Sequence, residues 1–399
     1  MARSSIGLDI GTRAVSLAEV TIAGGKPVLS RFGRSLLPAG AVEHGEIQDP
    51  IAVGATITAL WKKLGLTGRT AHLGIANRHV VVRVIELPSM SKDDLASAIR
   101  FQAQDHIPIP LAEAVMDFQV LGEIERPDGN VQQVLVVAAE RGTIQPLLAA
   151  VQAARLEALT LELNAYPLVR TFGDKAASSA QAIVDIGAGV TNIVVHKDGK
   201  IRFTRILPAF GGEEFTKAVV DATGVTRDEA EALKRRSSAL LRTSGRTPVA
   251  AHAHSQPLPH RPAASMPNDE DVASESVFVM NDETSVQTNG SSPAAQVEAA
   301  ATAINPALDR FVTEVRGSLD FYTSQPDAVH LEKVILTGGG SLMGGIAERL
   351  SESLGVPVEQ GDPFERVPVG KIDVSPQEIA VAEPFMGIAI GLALSEVTF

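Results

Sequence analysis

Apolar runs at the start of the chain predict a strand followed by a hairpin. Residues 4–9 form a short apolar run that ends in the sequence Asp-Ile-Gly-Thr at residues 9–12. Residues 15–22 alternate well enough for a second strand, and a glycine-containing turn at 23–26 leads into a third strand over 27–35. Each junction therefore carries glycine, the usual residue at a tight reversal between strands.

The same plan returns in the second half of the chain. A strand that begins at Gln181 ends in Asp-Ile-Gly at residues 185–187, and a second strand follows over 190–196. A turn at 197–200 then precedes a returning strand over 201–207. Because a repeated supersecondary unit indicates a repeated architecture, the sequence predicts two halves with the same fold.

The segment between these repeats changes its pattern twice. A helix over 51–64 has an apolar stripe that includes Trp61, interpreted as a core residue. A block of strand, helix, strand and strand over 79–160 then predicts a small inserted subdomain. The predicted organisation is 1–78 and 371–399 in lobe I, 161–180 as a connecting helix, and 181–236 with 297–370 in lobe II.

Residues 237–296 are rich in Ser, Pro, Ala, Thr, Asn and His, with few large apolar side chains. Such a segment cannot bury enough apolar surface to offset the entropy of ordering, so it is predicted to be a disordered loop. A long helix over 297–323 follows, and then a strand that ends at the sequence Thr-Gly-Gly-Gly of residues 337–340.

Composition narrows the class of protein. The 399 residues carry a formal net charge of -12 and no cysteine, which argues against nucleic-acid binding and excludes disulfides and thiolate chemistry. An acidic residue at position 9 interrupts any signal sequence, and the apolar stretch 385–394 is too short for a membrane span. We therefore expect a cytoplasmic protein of two lobes, without direct membrane insertion.

The three glycine turns suggest a phosphate site. Exposed backbone N–H groups in such turns form a concave nest for phosphate oxygens. Asp9 and Asp185 stand just before two of the nests, where a carboxylate is useful if it holds Mg²⁺ through water. The hydroxyls of Thr12 and Thr191 can donate hydrogen bonds to phosphate. Each turn alone is an ordinary tight turn, but their order and repetition favour nucleotide binding.

These motifs resemble the phosphate-1, phosphate-2 and adenosine motifs of the actin, hexokinase and Hsp70 superfamily. The resemblance implies an actin-like ATPase fold, in which two ribonuclease-H-like α/β lobes surround ATP and Mg²⁺. The nucleotide-binding residues that it implies are Gly11, Thr12, Arg13, Ser16, Gly187, Gly189, Thr191, Gly212, Glu231, Lys234, Gly338, Gly339 and Gly340. For Glu231 and Lys234 an exposed i, i+3 ion pair is the equal alternative.

Within that superfamily the chain resembles the PilM family of type IV pilus assembly. The resemblance is carried by residues 7–11, by 84–88 with 107–108, by Gly-Gly-Glu-Glu-Phe-Thr at 211–216 and by 316–322. It implies an inserted subdomain of the kind found in the division actin FtsA. It also implies a scaffold, recruited to the inner face of the membrane, that holds the N-terminal peptide of a PilN-like membrane protein and meets other pilus platform proteins.

Two features bear on turnover. Relatives carry a phosphate-contacting lysine where this chain has Ser16, and Arg13 is a candidate substitute. The resemblance implies that Asp185 helps to orient the attacking water and that Glu162 polarises it, with a surface charge as the alternative for Glu162. The expectation is at most a slow Mg²⁺-dependent ATPase.

Two other functions stay open at this stage. A small-molecule kinase of the same superfamily would need a substrate pocket with an aspartate base, and none stands out. An FtsA-like division protein would end in a basic amphipathic helix, whereas residues 394–399 are neither basic nor long enough for one.

Overall fold

The computed structural model describes residues 4–126, 129–243, 292–370, 372 and 374–395. The strands are β1 (Ser4–Ile10), β2 (Ala14–Ala23), β3 (Lys26–Leu36), β4 (Val42–Glu43), β5 (Glu46–Ile47), β6 (Thr70–Ile75), β7 (Val80–Pro88), β8 (Ala114–Arg126), β9 (Gly129–Glu140), β10 (Glu157–Leu163), β11 (Ala180–Ile186), β12 (Val190–Lys197), β13 (Lys200–Pro208), β14 (Leu331–Thr337) and β15 (Val358–Gln360). The helices are α1 (Pro50–Lys63), α2 (Lys92–His106), α3 (Arg141–Ala153), α4 (Ala165–Phe172), α5 (Gly212–Thr223), α6 (Arg227–Thr243), α7 (Pro293–Thr323), α8 (Ile346–Leu354), α9 (Pro376–Ala382) and α10 (Gly387–Ala393). Two 3₁₀ turns lie at Gly339–Leu342 and Glu383–Phe385.

Two five-stranded sheets share one topology. The first has the order β10-β6-β1-β2-β3, and the second has the order β15-β14-β11-β12-β13. In each sheet an antiparallel hairpin leads from the central strand, and two strands extend the other side in parallel. The predicted duplication into two α/β lobes is confirmed, and the central strand of each lobe is the one that ends in Asp-Ile.

Lobe I buries its sheet against α1 and α3 on one face. Val53 and Ile57 of α1 pack in one cluster with Leu147 and Val151 of α3. This corrects the predicted boundary of the inserted subdomain, because α3 belongs to the core of lobe I and not to the insert. The segment predicted as a connecting helix over 161–180 also begins inside strand β10.

Lobe II buries its sheet against α5, α6 and α7. Phe215 and Phe311 meet edge to face with ring centroids 6.1 Å apart, and both are fully buried. The helices α4 and α10 lie between the lobes and pack closely, since a Cβ at Gly391 would lie 2.0 Å from the backbone oxygen of Pro167. Leu168 of α4 and Leu392 of α10 share a cluster with Ile183 and Val194 of the second sheet.

The insert is a three-stranded antiparallel sheet of order β7-β9-β8 with α2 on one face. Leu95 and Ile99 of α2 pack on Ile85, Leu87 and Val136 of the sheet. In this part of the chain the predicted strand-helix-strand-strand order agrees with the structure.

The ends of the predicted loop over 237–296 are helical. Helix α6 continues to Thr243 and buries Ser237 and Leu241, and α7 begins at Pro293. Polar composition does not prevent a helix whose few apolar side chains reach a core. Residues 244–291 lie outside the described residues. Within the described ranges, no helix has both the length and the apolar character that a membrane span requires.

Candidate functional site

A cavity of about 590 Å³ opens between the two lobes. The glycine turns that follow β1, β11 and β14 all contribute to its wall, although they are separated by up to about 330 residues in the chain. The predicted site residues that line it are Asp9, Gly11, Thr12, Arg13, Ser16, Asp185, Gly187, Gly212, Glu231, Lys234, Gly338, Gly339 and Gly340. The structure therefore brings most of the predicted set to one cavity.

The turns after β1 and β11 have the same hydrogen bonding. The backbone N–H of Gly11 donates to Ala14 O at 3.0 Å, and that of Gly187 donates to Val190 O at 2.9 Å. A Cβ at Gly187 would lie 2.7 Å from Val190 O, so the turn leaves no room for a side chain there. The two turns also touch each other, because a Cβ at Gly189 would lie 2.6 Å from the hydroxyl of Thr12.

The third turn packs directly on the second carboxylate. Gly338 has a φ of +81°, and a Cβ there would lie 2.6 Å from Asp185 Oδ1. Its backbone N–H donates to Pro384 O at 2.9 Å, and the next residue, Gly339, lies against the ring of Phe385. Glycine is required here both by the left-handed backbone and by the close approach of the carboxylate.

Asp185 is buried and Asp9 is partly buried. Burial, with a smaller contribution from the nearby negative charge of Asp185, raises the pKa of Asp9 to about 7. Burial also raises the pKa of Asp185 to about 6, while the Nδ2 of Asn192 donates to its Oδ2 at 3.0 Å and partly opposes the shift. The charge of Arg34 lowers the pKa of Asp9 in part, but neither carboxylate has an ion pair within the described residues, and a bound metal ion would supply a closer cation.

Glu231 and Lys234 form the i, i+3 ion pair that was one of the two predictions for them. The pair is 2.6 Å long, but it is not on the open surface, since Lys234 is only 9% exposed and both residues line the cavity. Lys234 also donates to Gly212 O at 3.1 Å and to Thr216 at 2.8 Å. The ammonium thus joins α6 to the start of α5 at the cavity wall.

Arg13 reaches from lobe I to lobe II. Its Nε lies 3.6 Å from Glu213 Oε1, and the same carboxylate accepts a hydrogen bond from Arg227. Burial lowers the pKa of Arg13. Arg13 therefore lines the cavity with a carboxylate partner from α5 already beside its guanidinium.

Three predicted residues do not line the cavity. Gly189 packs under Thr12 as described above, and the Thr191 hydroxyl donates to Phe210 O at 2.7 Å, which directs it into lobe II. Glu162 accepts hydrogen bonds from Arg170 and Thr160, at the edge strand of lobe I. Its role in polarising water stays a prediction.

Several residues that line the cavity were not predicted. Among them are Arg34, Asn164, Asn192 and Phe385. Asn164 follows β10 and brings its amide into the wall, with an Oδ1 that has no hydrogen-bond partner among the described residues. Asn192 follows Asp185 by seven residues, as Ser16 follows Asp9, so the repeat itself held a signal for this position.

Two family models match the chain. The model of the type IV pilus assembly protein PilM matches residues 7–240, more than half of the chain. The model of cell division protein FtsA matches residues 182–383, which form most of lobe II and the return to lobe I.

Individual proteins are similar at lower identity. A structure of a PilM-PilN type IV pilus biogenesis complex matches with a TM-score of 0.77 and 24% identity, covering 99% of both chains. The ethanolamine utilization protein EutJ from Carboxydothermus hydrogenoformans matches with a TM-score of 0.50 and 15% identity over 98% of this chain and 89% of that one. Cell division protein FtsA of Bacillus subtilis (strain 168) is 24% identical in an alignment of 262 residues, and the match covers 58% of this chain and 57% of the relative.

Proposed function

The chain belongs to the PilM family of actin-like type IV pilus assembly proteins, and from that premise we propose that it is a nucleotide-dependent scaffold. It binds ATP with Mg²⁺ in the cavity between its lobes. It also holds the N-terminal cytoplasmic peptide of a PilN-like membrane protein, beside the inserted subdomain. Turnover of ATP, if the protein catalyses it, is slow.

One observation carries the nucleotide proposal. The two Asp-Ile-Gly turns and the Thr-Gly-Gly-Gly turn, distant in sequence, meet around a single cavity and present small, close-packed backbone there. Such turns direct N–H groups at phosphate oxygens and leave space for a phosphate to approach the main chain. A cavity of about 590 Å³ is within the ordinary size for a small-molecule site.

The residues present also suit Mg²⁺. Asp185 is buried, Asp9 is partly buried, and desolvation raises the pKa of both carboxyl groups, so a cation close to them would stabilise their charged forms. Magnesium takes oxygen ligands and keeps several waters, so two carboxylates together with phosphate oxygens suffice for it. When bound, the ion would neutralise charge on the phosphate chain. Asp185, fixed by Asn192 and Gly338, would hold a water in place.

Calorimetric titration with Mg²⁺ and a non-hydrolysable ATP analogue tests this proposal. The unaltered protein should bind, and Asp9→Ala and Asp185→Ala should each lose binding, because each removes one of the two carboxylates in the cavity. Asp221→Ala is the matched control, since that carboxylate is exposed on α5, pairs with Lys217 and does not line the cavity. Absence of binding by the unaltered protein would overturn the proposal and leave a scaffold without a nucleotide.

The partner proposal rests on the family and on the insert. The similar structure is a complex of PilM with PilN, and the insert here is a small sheet whose outer strands are β7 and β8. Val84 of β7 and Val120 of β8 are each 43% exposed although they lie in strands. A free strand edge flanked by apolar side chains suits an extended peptide that adds to the sheet.

A synthetic peptide covering the cytoplasmic N-terminus of the PilN-like protein, titrated by fluorescence anisotropy, tests this part. We expect Val84→Glu or Val120→Glu to weaken binding at least tenfold, because a buried unpaired charge at the contact is costly. Leu159→Glu is the control, since Leu159 is similarly exposed on β10, an edge strand of lobe I. Equal loss with all three variants would place the peptide elsewhere.

A division role is the second candidate, because the FtsA model matches residues 182–383. Affinity purification from cells followed by mass spectrometry separates the two. Recovery of pilus platform proteins supports the scaffold proposed here. Recovery of FtsZ as the main partner would replace it with the division role.

A further inference from the structure

Arg34 is a cation in the cavity wall that forms no ion pair within the described residues, although the charge of Asp9 acts on it. It lies on β3, is partly buried and lines the cavity between the lobes. Its guanidinium rests over the ring of Phe385, with Cζ 4.1 Å from the ring centroid. Across the described ranges of the chain it has neither a hydrogen bond nor an ion pair. A guanidinium carries five N–H donors, and it is costly to bury them without acceptors. A bound ligand with acceptor oxygens could supply the missing hydrogen bonds.

Strand register explains why Arg34 reaches the cavity. Asp9 of β1 pairs with Ser16 of β2, and Ser16 pairs in turn with Arg34 of β3. Directly opposed residues of neighbouring strands project from the same face of a sheet, and neighbouring strands lie about 4.8 Å apart. Arg34 thus stands two strands from Asp9 on the same face. The small hydroxyl of Ser16 between them leaves space for the long side chain.

The other cations of the cavity already have carboxylate partners. The pairs are Arg13 with Glu213 at 3.6 Å, Lys234 with Glu231 at 2.6 Å and Arg235 with Glu231 at 3.6 Å. Burial lowers the pKa of Arg34 to about 10, with Asp9 acting in the opposite direction, so the group keeps its charge at neutral pH. Among these four cations, Arg34 alone has no carboxylate within ion-pair distance in the described ranges.

We propose that Arg34, on the sheet of lobe I, is the residue that binds the phosphate chain of the nucleotide. This inference rests on the proposed function. The carboxylates and the glycine turns define where the phosphates lie, and Arg34 is the unpaired cation on the same sheet face as Asp9. A planar guanidinium suits this task because it can donate two parallel hydrogen bonds to one phosphate. Arg13, tied to Glu213, then serves to connect the lobes.

The test is calorimetric titration of the full chain with three ligands: the Mg²⁺-bound ATP analogue, Mg²⁺-bound ADP and adenosine. We expect Arg34→Gln to lower the affinity for the two phosphorylated ligands about tenfold to a hundredfold, the usual effect of losing a charged hydrogen bond. Binding of adenosine should not change. Glutamine keeps an apolar stem against Phe385 and a hydrogen-bond donor, so this variant removes mainly the charge.

Two further variants sharpen the result. Arg31→Ala is the matched control, because Arg31 lies on the same strand, pairs with Glu19 and does not line the cavity. Ser16→Lys in the Arg34→Gln background should restore part of the lost affinity, since it returns a cation to the same face one strand closer to Asp9. Thermal unfolding of each variant shows whether the lobes remain folded.

The outcomes separate this inference from the proposal on which it rests. Equal binding of the ATP analogue by Arg34→Gln and the unaltered protein would overturn the role of Arg34 alone. An equal loss for adenosine and for the phosphorylated ligands would make Arg34 a support of the cavity or a purine contact, which also overturns it. If the unaltered protein bound no nucleotide at all, both proposals would fall together.

Discussion

The two lobes present the same three positions with different residues. In lobe I, register joins Asp9 to Ser16 and Ser16 to Arg34. In lobe II, it joins Asp185 to Asn192 and Asn192 to Ile206. The first position is therefore a carboxylate in both lobes, the second is a small or medium polar residue, and the third is a cation in one lobe and an apolar residue in the other.

This difference gives the two carboxylates unlike surroundings. Asp185 accepts a hydrogen bond from Asn192, whereas the carboxylate of Asp9 has no hydrogen-bond donor within the part of the chain that the structure describes. The pKa of Asp185 is accordingly raised less, to about 6 against about 7 for Asp9. One backbone plan thus yields one carboxylate that accepts a hydrogen bond from its own lobe and another that accepts none from the described residues.

The largest effect is expected where the repeats differ in packing. In lobe I, Gly7 stands two residues before Asp9, and a Cβ there would lie 2.0 Å from Ala389 O in α10. In lobe II, the equivalent residue before Asp185 is Ile183, which is fully buried. Gly7→Ala should destabilise the protein by several kcal/mol, because the contact is with backbone that cannot yield easily. Ile183→Ala should cost roughly 2–5 kcal/mol through the cavity that it leaves. Urea unfolding measures both.

Gly122→Ala is the control for that pair, since a Cβ at this position in β8 meets nothing within 4 Å. It should change the free energy of unfolding by less than about 1 kcal/mol. Similar losses for Gly7→Ala and Gly122→Ala would show that the close approach of α10 to β1 does not limit residue 7.

The second effect is on the pH dependence of stability. Because the pKa of Asp9 is about 7 in the folded protein and its ordinary value is 3.8, the folded state holds more protons than the unfolded state between these limits. Without ligand, the contribution of Asp9 to the free energy of unfolding therefore falls as pH rises towards 7. Asp9→Asn should remove this slope, a change of roughly 2–4 kcal/mol across the window.

Urea unfolding of the ligand-free protein at pH 5 and at pH 8 measures that change, with Asp221→Asn as an exposed control on α5. A pH slope that is the same in the unaltered protein and in Asp9→Asn would mean that Asp9 titrates in its ordinary range. Asp185→Asn should give a smaller change of the same sign, since its pKa is raised less.

A third experiment exchanges the middle position between the lobes. Asn192→Ser removes the hydrogen bond to Asp185 and makes lobe II like lobe I, so affinity for the Mg²⁺-bound ATP analogue should fall about fivefold to tenfold. Asn192→Asp is not a substitute, because it adds charge. If Asn192→Ser bound as tightly as the unaltered protein, the fixed geometry of Asp185 would not contribute to ligand binding.

The smallest effect is expected at Glu162. Because its carboxylate is occupied by Arg170 and does not line the cavity, Glu162→Gln should change the affinity for the ATP analogue less than twofold. Single-turnover hydrolysis of ATP, compared with that of Asn164→Ala, would test its predicted role in polarising water. If Glu162→Gln binds the ATP analogue normally but hydrolyses ATP more slowly, and Asn164→Ala does not, the role of Glu162 is supported. If hydrolysis is slower in Asn164→Ala alone, the role belongs to Asn164 instead.

The positions of the glycine turns were predictable because their signals are local. An apolar strand that ends in Asp-Ile-Gly is visible in a few residues, and its recurrence at 185–187 makes the duplication evident. The elements β7, α2, β8 and β9 of the insert were predicted for the same reason, because their turns and caps lie within the segment itself. Helix α3 was misplaced because its apolar face does not say which sheet it covers.

The sequence by itself determined that two similar halves exist, that each ends a strand with a carboxylate before a glycine turn, and that the chain carries no cysteine chemistry. Tertiary structure alone decided that Arg34 lies on the same sheet face as Asp9, that Asn192 donates a hydrogen bond to Asp185, and that Asn164 instead of Glu162 lines the cavity. The physical reason is that a side chain's neighbours across a sheet depend on strand register and order. Those are set by the packing of the whole lobe and cannot be read from spacing along the chain.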